Sequence, residues 1–187
     1  MEPEHTYLDV MVDIETTGTQ PDLSAILQIA AVKFDPYAKK VDSNFFYKNL
    51  VMAEGRFWDE DTRHWWASQD PRVYEDVTKN PEQPVDVMTA FADWSGYNNG
   101  ALRFWAKPTT FDFMFVSSYF KKYGITNPYS YRNAIDLNSF MQGRVNQMGR
   151  FDLPDIEFSG DAHNGIYDCL HQIKYAFAAT SEGFTKP

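Results

Sequence analysis

Apolar and polar positions alternate from the start of the chain. In YLDVMVDI, residues 7–14, Leu8, Val10, Val12 and Ile14 fall on one face of an extended segment. Met11, Asp13 and Glu15 fall on the other, so the pattern predicts a strand. The turn signal GTQPD follows. Residues 25–34, AILQIAAVKF, predict a second strand, and residues 43–51, SNFFYKNLV, a third after the charged turn DPYAKKVD. Connections this short predict an antiparallel meander. The period then changes to helical. Residues 59–69 predict a helix capped by Asp59 or Asp61. In residues 84–97, Val87, Ala90, Phe91, Trp94 and Tyr97 keep helical spacing. LRFWAK, 102–107, predicts a short strand; Pro108, Thr109 and Thr110 break it and can cap a helix that runs to Tyr123 and stops at Gly124. A last strand is expected at 131–135, with helices at 137–148 and 165–179. Strands first, then strands alternating with helices, predict an α/β or α+β domain on one mixed sheet. No repeat, linker or low-complexity tract divides the 187 residues, so residues 1–187 are read as a single domain.

Composition changes this picture little. Hydrophobic residues make up 43% and aromatics 17%, which excludes a disordered chain. A net charge of -9 argues against gripping nucleic acid through a broad basic face. That objection weakens where divalent cations offset carboxylates beside a phosphate. Short basic clusters occur at Lys39-Lys40, Arg103 with Lys107, Lys121-Lys122, and Arg144 with Arg150, and each is equally explained as solvated surface. The single Cys169 allows no intrachain disulfide and reads as a small core residue. Neither a signal core nor a membrane-spanning run is present, so a cytoplasmic protein without membrane association is expected, in the host cytoplasm if a phage encodes it.

The candidate chemistry lies in acidic residues and one histidine. Asp13 and Glu15 are two apart on an apolar strand, so they project from one face. Buried carboxylates need a cation or a proton to relieve them. Asp112 falls in the first turn of its helix, where the helix dipole alone would also explain it. His163 and Asp168 would point about 140° apart within one helix. They converge only if His163 lies on the preceding loop, and Asn164-Gly165 fits such a boundary, a cap followed by a flexible residue. Asp168 lies opposite the stripe Ile166, Cys169, Leu170, Ile173 and Phe177, which suits a cleft or plain exposure. Four carboxylates could hold two divalent cations, and a histidine beside them could take a proton from an attacking water. Thr16, Thr17 and Gly18 could bind a nucleotide end, or simply turn the chain. Trp65 and Trp66 are consecutive, so one helix cannot bury both on one face. One could stack on a base, or both could pack beneath a loop.

Together these residues resemble the DEDDh exonucleases, the DnaQ-like branch of the ribonuclease H fold. Asp13-Ile14-Glu15 matches the family's Asp-x-Glu motif, Asp112 its single aspartate near a helix start, and His163 with Asp168 its His-x4-Asp motif. FWAKPTTFDFMF and WWASQ look most similar to the small phage and bacterial 3′–5′ exoribonucleases and DexA-type enzymes. The resemblance implies a ribonuclease H-like mixed sheet, antiparallel meander first and parallel strands after, flanked by helices. It also implies two ions of Mg²⁺ or Mn²⁺ held by Asp13, Glu15, Asp112 and Asp168, with Asp13 bridging them and His163 as general base. The implied activity is removal of nucleoside 5′-monophosphates from the 3′ end of single-stranded DNA or RNA. A catalytically silent binding module of the same fold, or an acidic interaction protein, are the alternatives. Some relatives form dimers, and the aromatic 57–66 segment could serve a homodimer.

Overall fold

The structure is a computed structural model that describes residues 5–96, 100–145, 155–159, 164–182 and 184. Its centre is a six-stranded mixed sheet. Strand β1 (Asp9–Thr16) pairs antiparallel with β2 (Ile26–Asp35) along its whole length, Asp13 opposite Ala30 and Glu15 opposite Gln28. The outer edge of β2 carries β3 (Lys40–Val41) and β4 (Phe46–Asn49) in succession, both antiparallel. The strand expected at 43–51 is the shorter β4, and β3 forms within the stretch expected as a charged turn. On the other side of β1, β5 (Arg103–Ala106) and β6 (Ala134–Asp136) add parallel pairings. The meander and the parallel half thus meet at β1.

The helices are α1 (Glu60–Ser68), α2 (Pro71–Thr78), α3 (Pro84–Ser95), α4 (Thr109–Tyr123), α5 (Leu137–Arg144) and α6 (Gly165–Ala179). Asp59, not Asp61, caps α1 by accepting from the Thr62 N–H. The sequence reading missed α2, although Asp70-Pro71 is a capping residue followed by proline at the first helical position. Thr109 does not cap α4 but opens it. Its N–H meets an Asp136 carboxylate oxygen at 3.1 Å, and its hydroxyl donates to the Ile135 carbonyl. The predicted strand at 131–135 begins instead with a 3₁₀ turn, Tyr131–Asn133. The tails of the helices expected at 84–97 and 137–148, namely Tyr97 and residues 146–148, lie outside the described residues.

Alternation along the strands splits the core into two layers. Val10, Val12 and Ile14 of β1 pack with Phe91 of α3 and Phe115, Val116 and Phe120 of α4. Met11 and the β2 residues Ala30, Val32 and Phe34 pack with Leu137 and Met141 of α5 and Cys169, Ile173 and Ala176 of α6. Asp13 and Glu15 continue the Met11 face, so both point toward α6. Behind them Asp9, 1% exposed, accepts from Arg103 Nε and from Trp105 Nε1 at 2.7 Å. This cross-strand link satisfies the one carboxylate of β1 that is fully enclosed.

Candidate active site

β1 and β5 pair only from Asp9 to Met11. Beyond Met11 the strands diverge, and the backbone of β1 that faced β5 loses its partner. The first turn of α4 fills that gap: Asp112, 4% exposed, accepts from the Ile14 N–H at 3.1 Å. Its position is thus set by a strand's need for an acceptor, and the helix-dipole explanation is insufficient. From the other layer, α6 brings Asp168 and Gln172. Gln172 Nε2 donates to Asp13 Oδ1 at 3.1 Å.

The close approach of α6 depends on Gly165. A Cβ there would stand 2.6 Å from the Ala30 Cβ, 3.1 Å from Gln28 Oε1 and 3.7 Å from Asp13 Oδ2. Asn164 caps the helix by accepting from the Ile166 N–H at 3.2 Å, as the sequence suggested. Gly165 was expected to supply flexibility, but it is a helical residue whose missing side chain lets helix and sheet touch.

Asp13, Glu15, Asp112 and Asp168 consequently line one lobe of a cleft, of about 360 Å³, with Lys107 and His171 on its wall. Burial, then the charge of Asp168, raises the Asp13 carboxyl to about 7 despite the Gln172 bond. Burial and the charges of Asp13, Asp168 and Asp112 raise Glu15 to about 9. Burial and Asp13 likewise push Asp112 well up, against the N–H groups that favour its anion. Such mutual repulsion is relieved by protons or by a cation. The donor set is all oxygen, and Gln172 Oε1 is a further buried oxygen without a donor among the described residues. These features fit a hard divalent cation. Among the described residues no three acidic, histidine or cysteine side chains close on one point as a finished metal shell would, so the carboxylates line the lobe without converging on a centre. His163 lies outside the described residues.

A second lobe of about 560 Å³ adjoins the first, sharing Ile14, Glu15 and Phe111. Thr16 and Trp65 line it. Trp65 is 44% exposed, while Trp66 is 5% exposed and donates from Nε1 to the Thr16 carbonyl at 3.0 Å. Trp66 therefore holds the end of β1, and Trp65 offers its ring. Thr17 does not reach the cleft. It is fully buried, its hydroxyl donates to the Phe57 carbonyl at 2.7 Å and accepts from the Ala25 N–H at 2.7 Å. Gly18 is likewise a packing glycine, since a Cβ there would fall 2.3 Å from Ser24 Oγ and 2.7 Å from the Asp59 Cβ. Sequence reasoning missed His171 and Gln172, which lie one turn beyond Asp168 on the cleft side of α6. The i+3 and i+4 spacing from Asp168 was the available signal.

Known proteins share this fold. No curated protein matches the sequence. Exonuclease I of E. coli in complex with a dT13 oligonucleotide superposes with a TM-score of 0.68 at 16% identity, over 92% of this chain and 41% of that one. Cell-death related nuclease 4 (CRN-4) gives 0.70 at 19%, over 94% and 64%. Pop2p of S. pombe, in its Mg²⁺- and Mn²⁺-bound form, gives 0.67 at 15%, over 95% and 84%. The chain spans about two fifths of exonuclease I. At these identities the likeness establishes the ribonuclease H-like nuclease fold. The model of one family matches residues 8–180, nearly the full chain, a stretch that includes Asp13, Glu15, Asp112 and Asp168. The chain belongs to the Rv2179c-like family of 3′–5′ exoribonuclease domains.

Proposed function

We propose that the chain is a metal-dependent 3′–5′ exonuclease that hydrolyses phosphodiester bonds at the 3′ end of single-stranded nucleic acid, releasing nucleoside 5′-monophosphates. The observation that carries this is the meeting of Asp13, Glu15, Asp112 and Asp168 in one lobe, with two carboxyls raised to about 7 and about 9 by burial and mutual repulsion. Asp13, Glu15, Asp112 and Asp168 would hold two ions of Mg²⁺ or Mn²⁺, as an all-oxygen set favours. Bound there, the cations would offset phosphate charge, favour the attacking water's hydroxide form and stabilise the departing 3′ oxygen.

The chain's own groups supply the rest. Gln172 orients Asp13 through its 3.1 Å hydrogen bond, and the Ile14 N–H fixes Asp112 at the cleft floor. Trp65 offers an exposed ring beside Thr16 on which the terminal base stacks. His163, just before the Asn164 cap, acts as general base toward the attacking water. The carboxylate lobe admits one strand end more readily than a stacked duplex, and a chain of net charge -9 has little with which to hold many duplex phosphates.

Digestion of matched, end-labelled DNA and RNA oligomers with Mn²⁺ tests this reading. A ladder shortening from the 3′ end, stopped by EDTA, is expected. Cleavage that survives EDTA, or rapid cutting of a covalently closed circle, overturns it. Binding without cleavage under every divalent ion would leave a silent nucleic-acid-binding module.

A further inference from the structure

The carboxylate lobe has a cationic wall that the chemistry above does not use. Lys107 leaves the end of β5 and lines the lobe, half-buried, yet forms no ion pair among the described residues. Its ammonium lies 5.5 Å over the ring of Tyr175. Burial holds it below the usual lysine range, and four acidic residues line the same lobe. His171 stands beside it. Its ring is fixed between Phe158 and Tyr175, at 4.9 Å from each. Nδ1 is buried without a partner among the described residues, and the ring lines the lobe. Burial, Lys174 and Lys107 all hold His171 below its usual range. Lys174 is committed to the Glu157 carbonyl at 3.1 Å and Ser159 Oγ at 2.7 Å, but Lys107 is not so committed.

A half-desolvated ammonium without a counter-ion is costly unless a ligand supplies the charge. In an acidic chain, its place at the mouth of a phosphate-handling cleft selects an anion. The order along the cleft is also fixed. Trp65 and Thr16 line the far lobe only, Glu15 and Phe111 line both, and Lys107 and His171 line the near lobe only. With the 3′-terminal nucleotide beside Trp65 and the scissile phosphate over the carboxylates, the strand continues toward Lys107.

We infer that Lys107 and His171 form a subsite for the phosphate one nucleotide upstream, on the 5′ side of the bond being cut. Lys107 supplies the charge and the His171 ring a directed N–H. This rests on the exonuclease reading for the strand's direction, but the cationic wall itself does not. The subsite makes the enzyme sense one phosphate beyond the one it hydrolyses. A dinucleotide with a 5′-phosphate fills it, and the same dinucleotide with a 5′-hydroxyl leaves it empty.

The experiment compares kcat/KM for that pair of dinucleotides. The unaltered protein should favour the 5′-phosphorylated one by about tenfold or more, the range of a charge-assisted hydrogen bond. Lys107→Met should bring the ratio close to one, and Lys107→Arg should largely restore it. His171→Phe, which keeps the ring contacts, should lower it severalfold. A second readout needs no turnover: in EDTA, the Kd of a labelled hexanucleotide is measured against monovalent salt. Lys107→Met should reduce the log–log slope by about 0.7, the value for one single-strand phosphate contact. A ratio and a slope both unchanged by Lys107→Met overturn the subsite while leaving the exonuclease reading standing. If the unaltered protein cleaves nothing, that reading fails, and the salt slope alone decides for or against the Lys107 contact.

Discussion

Gly165→Ala is a one-methyl change whose effect the packing makes specific. Alanine normally gains up to ~1 kcal/mol over glycine within a helix, and less in its first turn. Against this, the new Cβ would stand 2.6 Å from the Ala30 Cβ, a strand atom that cannot swing aside. Forcing a methyl into such a contact costs ~1–3 kcal/mol. The net expectation is a loss of about 1–2 kcal/mol, or a Tm lower by roughly 2–8 °C for a chain of this size. Gly143 is the matched control. It lies in α5 with nothing within 4 Å of its would-be Cβ, so Gly143→Ala should hold or slightly raise the Tm. Moving α6 off the sheet also moves Asp168 and Gln172 from Asp13. The Tm rise on adding Mn²⁺ should therefore shrink in Gly165→Ala and persist in Gly143→Ala. Thermal denaturation by circular dichroism, with EDTA and with Mn²⁺, measures both. A Gly165→Ala protein as stable as its parent, with an undiminished Mn²⁺ shift, would refute the close-approach argument.

Three further outcomes follow from the same site. Asp13 and Glu15 bind protons more tightly folded than unfolded, so their contribution is intact below about pH 4 and lost as pH rises through about 7 and about 9; the metal-free Tm should fall across that window while Mn²⁺ affinity, measured by calorimetry in two buffers, rises with release of roughly one to two protons at pH 7. Asp13→Asn should raise the metal-free Tm at pH 8 by removing repulsion yet abolish nuclease activity, and retained activity would remove Asp13 from the metal set. Trp66→Ala should destabilise by ~3–5 kcal/mol in chemical denaturation. Trp65→Ala should leave stability nearly intact and weaken oligonucleotide binding by ~1–3 kcal/mol, so equal destabilisation by both would remove the stacking role.

The sequence showed Asp13 and Glu15 on one face because a strand's period is two and needs no tertiary information. It also showed the α4 and α6 boundaries near Asp112 and Asp168, because glycine, proline and asparagine act locally. It could not decide between Trp65 and Trp66, since that depends on the Thr16 carbonyl, supplied by β1 fifty residues earlier. Thr17 looked like a ligand-binding hydroxyl, but its partners Ala25 and Phe57 come from two separate loops. Lys107 read as one half of a surface pair with Arg103. In the fold the two part company, Arg103 to Asp9 at the start of β1 and Lys107 to the cleft.

The docking of α6 across β1 and β2 has a consequence in time. Asp13 is made among the first residues of the chain and Asp168 among the last described, yet each needs the other to complete the lobe. A growing chain builds the meander, β5 and α4 while its first aspartates still lack their partner. The cleft therefore stays unfinished until α6 has emerged and settled against Ala30. The carboxylate lobe is thus completed later in synthesis than the strand that carries its first two acids.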